Sequence, residues 1–242
     1  MEIDKNTYNL FGYIIPAYNE YPYIENVLNK LLTLGIERDN ILVIDDSSND
    51  ETPRSIKKFR VNCISHGINK GKGAGIIEGI KFFFQRSKLK EKLKGVFIID
   101  GDGQHPPVHI KDFIKLYLEK RSDLIIGKRE FSPKKMPIDR IISNTLTSFF
   151  ISLVCRKRIY DSQSGYRFLS KKFALFFKPK DTRFLTESEM IIQAAKEGFK
   201  IDFVDIETVY NKSVSKINRF SDTLRFIKWY FKDAFFYKKR KK

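Results

Sequence analysis

The sequence has few of the residues that mark disulfide-stapled or metal-rich proteins. Its 242 residues include 2 cysteines and 3 histidines. Cys63 and Cys155 lie far apart in the chain and match no metal-ligand spacing, so we expect two reduced thiols in the core of the protein. His66, His105 and His109 do not form a set of metal ligands either. The sequence therefore argues against a disulfide framework and against a zinc site built from these residues.

Long apolar segments are also missing. The first ten residues mix Glu2, Asp4 and Lys5 with polar residues, so they do not resemble a signal peptide. The longest candidate span, Ile141 to Cys155, has fifteen residues, six of which are Ser, Thr or Asn. A membrane-spanning helix needs about 20 mostly apolar residues. We therefore expect no signal peptide, no transmembrane helix, and a protein that lies peripherally on the cytoplasmic side of a membrane.

Acidic residues are too few to balance the basic ones. The sequence has 29 Asp and Glu against 46 Lys and Arg, which gives a formal net charge of +17. Such a charge calls for a polyanionic partner, which could be nucleic acid, an anionic membrane or a phosphorylated substrate. Residues 212–242 carry eleven Lys or Arg and two Asp, a net charge of +9. From about Ser221 to Phe236 the pattern predicts an amphipathic helix with aromatic residues and cations, as suits an anionic membrane surface. We predict one domain over residues 1–212 and a loop with a basic amphipathic tail over 213–242.

Short apolar runs alternate with helical periodicity along the chain. The predicted strands are Gly12–Pro16, Ile41–Asp45, Asn62–Ser65, Gly95–Asp100, Asp123–Gly127, Tyr166–Leu169 and Ile201–Tyr210. The predicted helices are Tyr23–Leu34, Thr52–Phe59, Ala74–Gln85, Pro107–Lys120, Ile138–Val154 and Thr186–Gly198. This β-α alternation predicts an α/β fold with a mostly parallel central sheet flanked by helices. In such sheets ligands bind at the carboxyl ends of the strands.

The segment Asp100-Gly101-Asp102-Gly103-Gln104-His105-Pro106 follows the fourth predicted strand. Two carboxylates one residue apart in a glycine-rich turn can face one divalent cation, and hard cations prefer oxygen ligands from carboxylates and substrate phosphates. The pattern is typical of a diphosphate-metal site. It is also typical of an acidic turn held by its own side-chain hydrogen bonds, so the motif alone leaves both interpretations open.

Acidic residues also cluster after the second predicted strand, in Asp45-Asp46-Ser47-Ser48-Asn49-Asp50-Glu51-Thr52. A buried carboxylate at this strand end can accept hydrogen bonds from a base or a ribose, while Asp50 or Thr52 caps the next helix. Helix capping accounts for one or two of these acids but not for the whole cluster.

Glycines and lysines alternate in Asn69-Lys70-Gly71-Lys72-Gly73-Ala74-Gly75, just before a predicted helix. The glycines allow a ligand to approach the backbone closely, and the lysines offer positive charge to a phosphate. The spacing fits neither a Walker loop nor a dinucleotide-binding fingerprint. Judged alone, the segment is explained equally well as a flexible basic turn.

Taken in order, four segments resemble the family-2 inverting glycosyltransferases, and most closely their dolichol-phosphate mannose synthase branch. They are Pro16-Ala17-Tyr18-Asn19-Glu20, Asp45-Asp46-Ser47, Asn69-Lys70-Gly71-Lys72-Gly73 and Asp100-Gly101-Asp102-Gly103-Gln104-His105-Pro106. The resemblance implies a nucleotide-sugar-binding fold of the glycosyltransferase A type. It also implies that Asp100, Asp102 and Gln104 hold Mg²⁺ or Mn²⁺, with Asp102 catalytic. The residues that it implies for binding the nucleotide sugar are Pro16, Tyr18, Glu20, Asp45, Asp46, Lys72 and Asp100.

The second half of the chain extends the resemblance. Gly127-Lys128-Arg129-Glu130 is similar to the family's G-S-R segment, and Asp161-Ser162-Gln163-Ser164-Gly165-Tyr166-Arg167 is similar to its D-x-x-[SC]-G-[FY] turn. Residues 213–222 are similar to a flexible loop that closes over the donor and excludes water. The residues implied to bind the acceptor phosphate are Arg129, Arg140, Asn144, Lys216 and Arg219.

Thr186-Glu187-Ser188-Glu189-Met190 resembles a segment that supplies a catalytic acid or base in many relatives. If the acceptor is a hydroxyl, we expect Glu187 or Glu189 to take its proton. A phosphate acceptor is already ionised and hardly needs a base. Glu187 is equally well explained as a carboxylate stabilised by the start of a helix.

Together these features predict an inverting glycosyltransferase that moves a sugar from a GDP- or UDP-linked donor to a polyprenyl phosphate at an anionic membrane surface. A separate membrane protein is a further candidate partner. One alternative is transfer to a hydroxyl of a glycan or a lipid-linked saccharide. Another is a basic nucleic-acid-binding protein. The acids at the strand ends would repel DNA or RNA, so we expect no nucleic-acid partner.

Overall fold

The computed structural model describes residues 3–133, 136–180, 185–207 and 230. The predicted C-terminal helix from Ser221 to Phe236 lies outside the described residues except for Tyr230. Lys216 and Arg219 lie outside them as well. The division of the chain at residue 212 therefore stays a prediction.

The described strands form one seven-stranded sheet in the order β3-β2-β1-β4-β6-β5-β7. The strands are β1 (Phe11–Ala17), β2 (Ile41–Asp45), β3 (Asn62–Ser65), β4 (Gly95–Ile98), β5 (Leu124–Arg129), β6 (Arg167–Ser170) and β7 (Ile201–Ile206). Neighbouring strands run parallel, except that β6 is antiparallel to both β4 and β5. The predicted mostly parallel sheet is confirmed.

Helices cover the sheet on both faces. They are α1 (Lys5–Tyr8), α2 (Tyr23–Thr33), α3 (Thr52–Phe59), α4 (Lys72–Lys81), α5 (Ile110–Lys120), α6 (Ile138–Cys155), α7 (Lys171–Phe176) and α8 (Thr186–Lys196). Short 3-10 turns cover Arg38–Asn40 and Pro107–His109. The sequence does not predict α1 and α7, because helices of four and six residues are too short to show a helical period.

Helix α4 differs from its prediction at both ends. It begins at Lys72, before the predicted start at Ala74, because Gly71 turns the chain with a φ of 91° directly ahead of it. The predicted last turn is instead a π-helical turn over Phe82–Arg86. An added Cβ at Gly79 would lie 2.6 Å from the side chain of Ile14, so glycine allows α4 to pack closely on β1. This packing sets the position of Lys72 at the carboxyl edge of the sheet.

The core has two parts, one on each face of the sheet. Ile14 and Ile98 belong to one hydrophobic cluster, while Tyr13, Ile15 and Phe97 belong to the other. Consecutive strand residues point to opposite faces. A strand that is covered on both faces is therefore apolar along its length, as β1 and β2 are.

Helix α6 has one buried side and one exposed apolar side. Ser148, Ile151 and Val154 are its buried residues. The opposite side carries an apolar stripe, with residues three or four positions apart that are 44–63% exposed. The stripe consists of Ile138, Ile142, Leu146, Phe149 and Leu153.

The length of α6 bears on the expectation of no membrane-spanning helix. That expectation rests on fifteen residues from Ile141, whereas the helix has 18 residues and starts at Ile138. Within the described part of the chain, α6 has the length and the apolar composition that a helix needs to cross a membrane. In the folded protein 17% of it is buried. The length and composition of α6 therefore do not exclude a membrane span.

The expectation of two core thiols is wrong for Cys63. Cys63 is exposed on the edge strand β3, and Cys155 is half-buried at the end of α6. Strand β3 has a neighbour on one side only, and alternate residues of the strand face solvent. A short apolar run in the sequence does not reveal that its strand lies at the edge.

Candidate active site

The loops that follow β1 and β2 bind each other at the carboxyl edge of the sheet. The backbone N–H of Asn19 donates to Ser48 Oγ over 2.9 Å. The N–H groups of Glu20 and Tyr21 both donate to the buried Thr52 Oγ1, over 2.8 and 2.9 Å. These bonds join two of the predicted donor-binding segments into one surface.

The predicted nucleotide-binding residues of these two loops lie together. Ala17 pairs with Asp45 in the sheet register, which brings the ends of β1 and β2 side by side. The Asp45 carboxylate is buried and accepts a hydrogen bond from Ser48 N over 3.1 Å, while Tyr18 is 36% exposed. An added Cβ at Gly101 would lie 3.3 Å from Glu20 Cγ and 3.4 Å from Pro16 O. The loop of the two aspartates therefore packs directly on this surface.

Asp46, predicted to contact the nucleotide, is bonded to the loop ahead of α4. Its Oδ1 accepts hydrogen bonds from Lys70 N over 2.8 Å and lies 2.7 Å from His66 Nδ1. Its Oδ2 accepts from Gly71 N over 2.7 Å. Both carboxylate oxygens are thus bonded within the protein, where they hold the glycine-lysine loop ahead of α4.

His66 links that anchor to helix α4. Its Nε2 lies 2.8 Å from Glu78 Oε2, so the buried imidazole bridges two carboxylates, Asp46 and Glu78. Burial disfavours the charged imidazolium, but the hydrogen bonds to Asp46 and Glu78 outweigh it and raise the pKa of His66 above its ordinary value. The sequence does not predict this bridge, because no pattern links a histidine to acids at such separations.

Lys72 stands at the centre of the site. Its Nζ lies 2.6 Å from Asp100 Oδ1 and 2.9 Å from Glu187 Oε1. Burial opposes the charge on Lys72, but Asp100 and Glu187 outweigh it and raise its pKa. Burial likewise opposes the charge on Asp100, and Lys72 outweighs it and lowers the pKa of that carboxyl. The three groups form an ion-paired cluster that joins the starts of α4 and α8 to the end of β4.

Gly165 leaves the space that this cluster needs. A Cβ at this position would collide with Asp100 Oδ2 and with Lys72 Nζ. Glycine therefore fits at this position of the Asp161–Arg167 turn, where a residue with a Cβ would clash. The turn lies directly against the charged groups of the site.

Arg129, predicted to bind an acceptor phosphate, is paired with Asp161. Its Nε and Nη2 donate to the two oxygens of the Asp161 carboxylate over 2.7 and 2.9 Å. Burial opposes the charge on Asp161, but Arg129 outweighs it and lowers the pKa of Asp161. Arg129 also helps to lower the pKa of Asp100. Its positive charge therefore stabilises a carboxylate at the centre of the site.

Arg167 is a fully buried arginine that the sequence analysis did not select. It donates to the backbone oxygens of Ser164 and Ser162, each over 2.8 Å, and of Glu187 over 2.6 Å. Burial lowers its pKa to about 10. Its planar fork ties the Asp161–Arg167 turn to the first turn of α8 and thereby holds Glu187 beside Lys72.

The oxygen ligands present fit a divalent cation that is shared with a diphosphate. Asp102 Oδ1 accepts from Gln104 N over 3.0 Å, in a turn where Gly103 has a φ of 70°. Asp100 already pairs with a cation, the Lys72 ammonium. Across the described residues, no group of three His, Cys, Asp or Glu can hold a metal alone. Carboxylates with substrate phosphates completing the shell are the usual arrangement for Mg²⁺.

His105 anchors the same turn from inside the protein. It is 4% exposed, and burial lowers its pKa to about 4, so it is neutral. Its ring lies 6.2 Å from that of Tyr166, and its Nδ1 has no hydrogen-bond partner among the described residues. This buried position gives His105 a structural place in the turn.

The remaining predicted residues lie on α6, on α8 or outside the described residues. Asn144 Nδ2 lies 3.7 Å from Met136 Sδ, and Arg140 is half-buried in the first turn of α6. Glu189 is buried and its Oε2 accepts from Lys180 N over 2.6 Å. The roles of these residues, like those of Lys216 and Arg219, stay predictions.

Comparisons with known proteins agree with this geometry. Residues 13–183 match the model of glycosyl transferase family 2. The chain is 34% identical over 204 residues to an uncharacterized protein of Methanocaldococcus jannaschii, covering 82% of this chain and 81% of that one. It is 33% identical over 221 residues to the UDP-N-acetylglucosamine–dolichyl-phosphate N-acetylglucosaminyltransferase of Methanococcus voltae, covering 82% and 85%.

The fold has a counterpart among solved structures. Glucosyl-3-phosphoglycerate synthase from Mycobacterium tuberculosis, solved in complex with Mn²⁺ and UDP-glucose, superposes with a TM-score of 0.71. The two chains are 15% identical, and the match covers 94% of this chain and 82% of the other. At this identity the likeness shows the fold alone, and it confirms the predicted glycosyltransferase A-type fold. By the extent of the family match and the identity to its relatives, the chain belongs to glycosyl transferase family 2.

Proposed function

We propose that this glycosyltransferase moves a sugar from a nucleotide diphosphate donor to a polyprenyl phosphate at a membrane surface. The observation that carries the proposal is the cluster of Lys72, Asp100 and Glu187, with Asp102 beside it, at the carboxyl edge of the sheet. A lysine and two closely spaced aspartates provide the charges that a metal-bound diphosphate needs.

Each part of the chain has a distinct task in the proposed reaction. The surface formed by Pro16, Tyr18, Glu20 and Asp45 takes the nucleoside. Lys72 pairs with the diphosphate. A divalent ion held by Asp100 and Asp102 would neutralise the charge that grows on the leaving nucleoside diphosphate. Attack of the acceptor oxygen on the anomeric carbon then displaces that diphosphate and inverts the configuration, as the family resemblance implies.

A phosphate acceptor suits the carboxylates of α8. Glu187 is paired with Lys72, and Glu189 accepts a backbone hydrogen bond from the chain before α8. A hydroxyl acceptor requires a base to remove its proton, whereas a phosphate is already ionised. The relative from Methanococcus voltae, a dolichyl-phosphate N-acetylglucosaminyltransferase, supports the same choice.

The outer side of α6 supports placement at a membrane surface. Its exposed apolar stripe has no charged residue between Ile141 and Cys155. The opposite side of α6 packs on the domain through Ser148, Ile151 and Val154. A helix held in this way lies along a bilayer and does not cross it, since crossing would expose those buried residues. We propose that the stripe rests among the lipid chains close to the acceptor.

The relatives guide the choice of which donor nucleotide and sugar to test first. The Methanococcus voltae protein is named for UDP-N-acetylglucosamine, and the structural neighbour was solved with UDP-glucose. We therefore favour a UDP-linked donor and test UDP-N-acetylglucosamine first, with UDP-glucose and GDP-mannose as the other donors. Because the neighbour was also solved with Mn²⁺, Mn²⁺ is the first metal to use.

The test is transfer of radiolabelled sugar to added polyprenyl phosphate in detergent or vesicles with Mn²⁺. We expect label in a lipid that mild acid releases, and we expect its loss in Asp102→Asn and on chelation of the metal. The same three donors are offered with oligosaccharide acceptors. Label in oligosaccharide but not in lipid, with the same metal requirement, would replace the phosphate acceptor with a hydroxyl acceptor.

A further inference from the structure

Lys72 occupies the position where a cation would meet Asp100. The ammonium lies 2.6 Å from Asp100 Oδ1. The other carboxylate oxygen, Oδ2, faces Gly165, where even a Cβ would collide with it. One oxygen of Asp100 is therefore paired with a positive charge, and the other lies against the backbone of the neighbouring turn, while 24% of the side chain stays exposed.

Buried groups hold this arrangement from both sides. Asp46 binds the backbone N–H groups of Lys70 and Gly71, immediately ahead of Lys72. On the other side, Arg167 binds the backbone oxygen of Glu187, the second partner of Lys72. The fold thus fixes the backbone ahead of Lys72 and the backbone of its partner Glu187.

Cations already lie among the carboxylates around Lys72. Asp100 and Glu187 pair with Lys72, Asp161 pairs with Arg129, and the buried Arg167 binds the backbone oxygen of Glu187. A divalent ion arriving alone would place two further positive charges beside the ammonium, and the two cations would repel each other. A diphosphate arriving with the ion would supply matching negative charge and a new partner for the ammonium.

We propose that Lys72 stays paired with Asp100 as its cation until the donor arrives, so that the metal and the donor diphosphate bind as a pair. This inference rests on the proposed function. Lys72 then exchanges Asp100 for the diphosphate, and Asp100 becomes available to the metal. By thermodynamic linkage, the nucleotide raises metal affinity by the same factor as the metal raises nucleotide affinity.

The experiment measures Mn²⁺ binding by the electron paramagnetic resonance signal of free Mn²⁺, first without nucleotide and then with UDP or GDP. Three variants are compared with the wild type: Lys72→Met, Lys72→Arg and Lys70→Met. Lys72→Arg keeps the positive charge. Lys70→Met is the matched control, because it removes the same charge from an exposed side chain of the same loop. Thermal unfolding of each variant identifies any that fail to fold.

Without nucleotide, we expect Lys72→Met to bind Mn²⁺ about tenfold or more tightly than the wild type, a factor within the usual range of coupling between sites. Lys72→Arg and Lys70→Met should match the wild type. With nucleotide, the gain in Mn²⁺ affinity should be large in the wild type and small in Lys72→Met. Equal Mn²⁺ affinity of the wild type and a folded Lys72→Met without nucleotide would overturn the proposal, and so would a tighter Lys72→Arg.

The two proposals fail in different ways. The comparison without nucleotide needs no donor and no acceptor, so it reads the role of Lys72 even if no sugar is transferred. Absence of sugar transfer and of nucleotide binding in the wild type would count against the proposed function alone. If sugar is transferred but the metal and the nucleotide bind independently of each other, only the proposed role of Lys72 is wrong.

Discussion

Replacing two residues of the α6 stripe should release the protein from lipid vesicles without unfolding it. Phe149 and Leu153 are 55% and 54% exposed, so a bilayer would cover about half of each side chain. Burying a whole side chain of this kind is worth about 1.5–3 kcal/mol, so the exposed halves are worth about 1 kcal/mol each. At about 1.4 kcal/mol per tenfold change, Phe149→Ser with Leu153→Ser should weaken vesicle binding by about 30-fold.

The assay is flotation with vesicles of phosphatidylcholine and phosphatidylglycerol. It is run at about 1 M salt, where the Debye length falls to about 3 Å, so that attraction from the net positive charge is screened. Leu175→Ser is the matched control, because Leu175 is an exposed leucine, 49% accessible, on α7 and not on α6. Thermal unfolding should change little, since both replaced residues face outward. Unchanged vesicle binding of the double variant would refute the reasoning and place the lipid contact elsewhere.

Two further predictions concern the interior of the site. The raised pKa of His66 stabilises the fold fully below about pH 6.5, the ordinary pKa of histidine, and this contribution disappears as pH rises through the raised value. In unfolding curves, His66→Gln should therefore be less stable than the wild type at low pH, with a gap that narrows as pH rises; a gap that widens would contradict the bridge between Asp46 and Glu78. Gly165→Ala should abolish metal-dependent donor binding in a protein that still folds, because its Cβ meets Asp100 and Lys72. Gly67→Ala is the control, because an added Cβ there meets nothing within 4 Å. Calorimetry with Mn²⁺ and UDP should show donor binding by Gly67→Ala and none by Gly165→Ala.

Much of the fold could be predicted because its periodicities are local. Strands β2 and β3 and helix α3 begin and end where their patterns predict. Their apolar residues repeat within a few positions, and turn residues mark the ends. Errors occur where a local pattern carries no information, as at the exposed Cys63 on the edge strand and in the six-residue helix α7.

The candidate site was predictable only in part, for the same physical reason. Acidic, glycine-rich and lysine-rich segments at strand ends are visible as short motifs, and their order along the chain led to the family. The partner of each charge is not visible. No motif shows, for example, that the oxygens of Asp46 are bonded to the loop before α4.

By itself, the sequence determined the strands, most of the helices, the carboxylates of the predicted metal motif and the family. Only the tertiary structure decided that Lys72 lies between Asp100 and Glu187, and that a buried Arg167 holds Glu187 in place. Such pairings join residues from distant parts of the chain, so they depend on strand register, helix packing and the space left by a single glycine. These contacts between remote segments have no periodicity along the chain, and the folded protein alone reveals them.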